Sequence, residues 1–106
     1  MVNKNLLIHA TEQEIQRGQI LQCPVAGEED IFLMVCEVIG EETYQLLIIN
    51  GYKAGLSYCI LPREAISIHG YGINTKWLIK NWSTWGVMHS SIEKVLLLGE
   101  LNYANI

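Results

Sequence analysis

Interruptions are scarce in this chain of 106 residues. It has two prolines, Pro24 and Pro62, no low-complexity tract and no internal repeat. Nothing reads as a linker, so a single domain spanning 1–106 is expected. No apolar run approaches the roughly 18 residues that a membrane span needs. Lys4 is followed only by Leu6-Leu7-Ile8, shorter than the ~7–15-residue apolar region of an export signal. The three cysteines, Cys23, Cys36 and Cys59, contain no Cys-x-x-Cys pair, and each lies in or beside an apolar stretch. There a thiol behaves as a small hydrophobe. The expectation is a reduced, cytoplasmic protein with no membrane partner.

Catalytic patterns are equally sparse. His9, His69 and His89 are far apart, and none has a second ligand at metal spacing. No glycine-rich phosphate loop, nucleotide fingerprint or His-Glu-x-x-His occurs. Cys23 or Cys59 with His69 is the one nucleophile–base pairing to consider. Glu28-Glu29-Asp30 lacks the alternating ligands of a calcium loop. The chain is therefore expected to be no enzyme and to use no cofactor and no metal.

A basic stripe is missing too. Residues 28–42 carry six acids and no base. Up to residue 50 eight acids face only Lys4 and Arg17, whereas five bases and three acids follow, within a net charge of −4. Nucleic acid is thus not expected as a direct ligand, because nothing would neutralise its phosphates. The acidic half reads either as solvated loops that keep the protein soluble or as a surface that steers a basic partner.

Apolar segments are what the chain does have: 50% of its residues are hydrophobic and 17% charged, which excludes a disordered chain. The organising stretch is Asn50–Pro62, where Gly51 and Gly55 bracket Tyr52-Lys53-Ala54 between two apolar runs. Glycines reach positive φ freely, so this is a turn between strands Tyr44–Ile49 and Leu56–Leu61. Pro62 stops the second strand and can open a helical turn, with Ala65–His69 a further strand candidate. Upstream, Thr11-x-x-Glu14 has capping-box spacing for a short helix or turn. Gln19–Cys23 is a strand ending at Pro24, Gly27–Asp30 an acidic loop, and Ile31–Ile39 the strongest strand. Glu37, its one charge, faces solvent near an end or is paired. Gly40–Thr43 forms the next hairpin loop.

After the Gly70-Tyr71-Gly72 loop, Asn74 or Thr75 caps a helix over Lys76–Trp85. Trp77, Leu78, Asn81, Trp82 and Trp85 share one broad face, which either seals an open side of the sheet or stacks a ligand. Gly86 ends the helix, and Ile92–Leu98 is a last strand, with a polar tail after Gly99 expected to fray. The sum is an α+β domain: a bent antiparallel sheet of about five strands, half-open and barrel-like, packed against one Trp-rich helix.

The string Gly51-Tyr52-Lys53-Ala54-Gly55-Leu56, then Leu61-Pro62, then Trp77-Leu78-Ile79 with Asn81-Trp82 and Trp85, resembles the immunity protein 45 family of bacterial polymorphic toxin systems. Arg17-Gly18-x-Ile20 and Cys23-Pro24 look like that family's opening strand. The resemblance runs from Arg17 to Trp85 and includes contact-dependent growth inhibition systems. It implies a cytoplasmic protein that binds and neutralises the C-terminal domain of one cognate toxin, commonly a nuclease, without activity of its own. A nuclease needs a basic cleft for phosphate, so an acidic surface could occupy that cleft or its rim. Because the shared residues look structural, the expected partner-binding residues are the acidic loops: Glu28, Glu29, Asp30, Glu41 and Glu42.

A different reading keeps the fold and changes the partner. A small barrel-like adaptor would bind a peptide or a regulatory protein through Tyr52, Tyr71 and neighbouring apolar surface. Oligomeric state is unknown from the sequence, although apolar surface around the last strand would suit a dimer.

Overall fold

The computed structural model describes residues 4–99, and an antiparallel sheet of six strands runs through it. The strands are β1 (Lys4–Leu6), β2 (Ile20–Cys23), β3 (Ile31–Glu37), β4 (Tyr44–Ile48), β5 (Ser57–Ile60) and β6 (Leu96–Leu98). Their order across the sheet is β1-β6-β2-β3-β4-β5. Four of them, β2 to β5, form successive hairpins, as short connections between apolar runs dictate. The sixth strand comes from far along the chain and inserts between β1 and β2. The sheet is not closed into a barrel: β1 and β5 are its free edges.

Most expected elements are present with adjusted limits. Residues 11–13 form a turn, not a helix, and Arg63–Ala65 is a single 3-10 turn behind Pro62. Ile66 makes only an isolated bridge to Ile73, so no strand forms over Ala65–His69. The last strand is shorter than expected because Ile92–Lys94 is a 3-10 turn. The three-residue β1 carried no sequence signal of its own. The tail after Gly99 lies outside the described residues.

The Trp-rich helix is divided. Helix α1 (Thr75–Lys80) starts at Asn74, whose Oδ1 accepts from the Trp77 amide at 3.0 Å. Helix α2 (Trp82–Trp85) is a single turn beyond Asn81. Asn81 leaves helical geometry at φ −104° and ψ 15°. Its side-chain amide joins its backbone N–H in donating to the Trp77 carbonyl, at 2.8 and 2.9 Å. This local competition is how asparagine ends a helix. The break lets Trp82 turn inward, where Nε1 donates to the Ser90 carbonyl at 2.9 Å.

Alternation along the strands gives the sheet two distinct sides. On one side Leu21, Leu33, Val35, Leu46 and Leu97 join Leu7, Ile15, Ile73, Leu78 and Trp82 in the core. Trp77 and Trp85 pack half-buried against it with ring centroids 6.3 Å apart. The indoles therefore seal the sheet. Gly86 serves this packing and not a turn: a Cβ there would lie 2.1 Å from the Trp82 ring. A β-bulge between Leu46 and Leu47 places both Tyr58 and Cys59 toward this layer. The Tyr58 hydroxyl donates to the Gly86 carbonyl and accepts from the Met88 amide.

The register fixes what lies on the other side. One row across the sheet is Leu6, Leu96, Gln22 and Phe32, extended by Ile49, whose amide donates to the Phe32 carbonyl. The next is Leu98, Ile20, Met34, Leu47 and Ser57. A shorter row holds Cys36, Gln45 and Ile60. These residues lie outside the cluster formed with the helices, yet Ile20 and Leu98 are buried and Phe32, Met34, Leu47 and Leu96 are half-buried.

Candidate functional site

Hairpin geometry sends alternate loops to opposite ends of the sheet. At one end lie the β2–β3 loop, with Glu28, Glu29 and Asp30, and the β4–β5 loop, with the bracketing glycines. Both loops line one groove, which also includes Ile31, Ile48 and Tyr58. Gly51 and Gly55 have φ of +74° and +95°, the left-handed conformation that glycine adopts without a Cβ clash. Successive turns then hold the loop: Ala54 N donates to Gly51 O, Gly55 N to Ile48 O at 2.7 Å, and Leu56 N to Lys53 O. Tyr52 stands out from this frame, 94% exposed. The Lys53 Nζ sits 5.6 Å above its ring, so the lysine packs on the tyrosine, as a turn lysine beside an aromatic is expected to.

Asn50 joins the two loops. Its Oδ1 accepts from the Phe32 amide at 2.9 Å, and its Nδ2 donates to the Asp30 carbonyl at 2.8 Å. A side-chain amide has one acceptor and one donor like a peptide group, so it extends the β3–β4 ladder by one step. Sequence reasoning treated this residue only as part of a turn. The Asn-Gly dipeptide was its signal, but a clamp needs the register of both strands to be recognised.

The three acids of this end differ in role. Glu28 and Glu29 are exposed, whereas the Asp30 carboxylate is half-buried and accepts from Gln22 Nε2 at 2.6 Å. Asp30 also lies near Cys23. Burial, followed by that carboxylate's charge, pushes the Cys23 thiol up to about 12. Two carboxylates thus stand exposed, and the third holds the loop.

Glu41 and Glu42 are exposed at the opposite end, in the β3–β4 loop. Seven-residue β3 separates the two acidic groups by about 20 Å. Arg63, Ile66 and Gly70 flank the second loop, and the wholly exposed Ile39 belongs to it. Close by, Glu37 is exposed and pairs with Arg17 at 3.1 Å, fulfilling both options open to it. Tyr71 follows Gly70 at this end, so Tyr52 and Tyr71 do not form one site.

The nucleophile–base candidates are not assembled. Cys23 is buried opposite Ile31 at the far end of β2, and the Cys59 thiol donates to the Trp85 carbonyl at 3.6 Å. His69 instead lines a groove with Glu12 and Gln16. Burial pushes the Cys59 thiol up to about 11, away from the thiolate a nucleophile needs. Among the described residues no cluster of His, Cys, Asp and Glu could hold a metal ion, and no helix is long and apolar enough to cross a membrane.

The chain was compared with known families, curated proteins and solved structures. No curated protein and no solved structure matches it. The family described as Immunity protein 45 matches over residues 7–97, a span that takes in β2 to β5, both helices and every residue of the two acidic ends. The chain belongs to the immunity protein 45 family.

Proposed function

We propose that this protein binds and neutralises the C-terminal toxin domain of a contact-dependent growth inhibition or related polymorphic toxin system, in the cytoplasm of a bacterium. The toxin is a nuclease with a basic surface. The observation that carries this reading is family membership joined to the end of the sheet where Glu28 and Glu29 flank the exposed Tyr52. A tyrosine contributes a large contact area at little entropic cost, and acids around it steer a basic target. The family bears on the role without catalysis as well: neutralisation by binding asks for no reactive group in this chain.

The adaptor reading draws on Tyr52, Tyr71 and neighbouring apolar surface, and the two tyrosines belong to opposite ends of the sheet. The decisive experiment uses the purified toxin domain with nucleic acid as substrate, titrated with this protein. Stoichiometric loss of cleavage supports neutralisation of a nuclease, and absence of binding refutes the proposal. Reversing Glu28 and Glu29 to Lys is expected to slow association about 10-fold or more at low salt. Reversing Glu41 and Glu42 is expected to change it less than about 3-fold. Equal effects at both ends would remove the assignment to the Tyr52 end while leaving the neutralisation itself intact.

A further inference from the structure

Strand β5 ends the sheet, and among the described residues no other segment pairs with its outer edge. The Leu56 carbonyl accepts from the Ile48 amide and the Leu61 amide donates to the Tyr44 carbonyl, so both residues face β4. Neighbours in an antiparallel ladder alternate, and Ser57 and Ile60 therefore direct their backbone groups outward. Open edges are normally guarded by charged side chains, lysine above all. Residues 56–61 carry none, and Leu56 and Ile60 are exposed. The guards present are a four-residue length, the bulge and Pro62, which restrict pairing to a short segment.

A groove lies beside this edge, lined by Tyr58, Trp85, Gly86, Val87 and Met88 among others, with no acid, lysine or arginine. One part of it is a turn in which the Ser90 amide donates to the Val87 carbonyl at 3.1 Å and His89 has φ +65°. Left-handed backbone is uncommon for a residue with a Cβ, and residues held so tend to cluster at ligand clamps. The Tyr58 hydroxyl ties the turn to β5 through the Met88 amide at 3.1 Å, while the Met88 side chain stays exposed.

Building on the neutralisation of a toxin domain, we propose that an extended segment of that domain adds to β5 as a further strand and places an apolar side chain in this groove. The edge supplies main-chain hydrogen bonds, and the uncharged groove selects the side chain. Continuity with the Tyr52 end chooses the occupant. Tyr58 lines both this groove and the one holding Glu28, Glu29 and Tyr52, so a single partner spans the two. The acids lie beyond the Ser57 end of the strand and suit a basic residue flanking the added segment.

The test is amide–water exchange by NMR on the full chain, free and saturated with the purified toxin domain. The Ser57 and Ile60 amides are expected to exchange about 10-fold or more slowly in the complex, with Glu42 at the opposite end unchanged. Ser57→Pro deletes one outward donor where an edge strand tolerates proline, and toxin affinity is expected to fall about 10-fold. Unprotected amides in a formed complex overturn the added strand and leave neutralisation intact, as does full affinity in folded Ser57→Pro. Should that variant not fold, exchange in the native chain decides. Protection in free protein that grows with its concentration assigns the edge to a second copy. Protection in free protein at every concentration assigns it to another segment of the same chain, and either result overturns the proposal. A toxin domain that does not bind overturns both the added strand and the neutralisation.

Discussion

The two sides of the sheet are built from the same strands and are similarly apolar, yet they have different surroundings. Leu46 and Leu47 are neighbours in β4, and Leu46 is fully buried while Leu47 lies half-buried on the side away from the helices. Composition cannot tell them apart. What separates them is that Leu46 joins Leu78 and Trp82 in the core cluster and Leu47, on the opposite side of the strand, does not. Hydrophobicity marks what is to be covered; the path of the chain determines which part is covered from within.

Cavity formation gives this contrast its largest expected effect. Leu46→Ala should cost about 3 kcal/mol, and Leu47→Ala about 1 kcal/mol or less, in urea unfolding at concentrations where the chain is monomeric. Similar losses at both positions would mean that the two sides are equally well packed within the monomer. Overpacking is next. Gly86→Ala is expected to lose about 2 kcal/mol, because the new methyl enters the space of the Trp82 ring. Adding bulk on the side away from the helices by Gln45→Leu should stay within about 0.5 kcal/mol. The same unfolding curves measure both.

The smallest effect distinguishes the thiols. Cys23 and Cys59 face the covered side, and burial raises them to about 12 and about 11. Above pH 9 an unfolded chain releases these protons while the folded chain keeps them. Stability is therefore fully present below that pH and declines as pH rises toward 11 to 12. Cys23→Ala should flatten the decline, read from unfolding midpoints at several alkaline pH values. Cys36, half-buried on the side away from the helices, where burial also raises its thiol, should be alkylated faster than the buried Cys23 in the native protein. Peptide mass spectrometry of partially labelled protein would show the order, and faster labelling of Cys23 would contradict the burial described above.

Much of the fold was legible because its causes are local. The Ile31–Glu37 strand, the hairpin return through Tyr44, the glycine-bracketed turn and the Asn74 cap each depend on residues a few positions apart. Non-local pairings were not legible: β1 has only three residues, and its place beside β6 depends on a partner at least 90 residues away. The helix break at Asn81 was hidden because the tryptophan pattern is the same for a continuous helix. At the candidate site, the acids and Tyr52 could be named from the chain. That Asp30 is tied to Gln22, and that Glu41 and Glu42 stand at the other end, required strand register.

The sequence by itself determined the family, the uninterrupted apolar strands, the glycine turns and an acidic first half, since all of these rest on residue type and short spacing. Only the tertiary structure decided which side of each strand is sealed, which acids share an end, and that Asn50 clamps two loops. Those outcomes depend on pairing between distant segments, where the direction of a side chain is set by its partner strand and not by its neighbours in the chain.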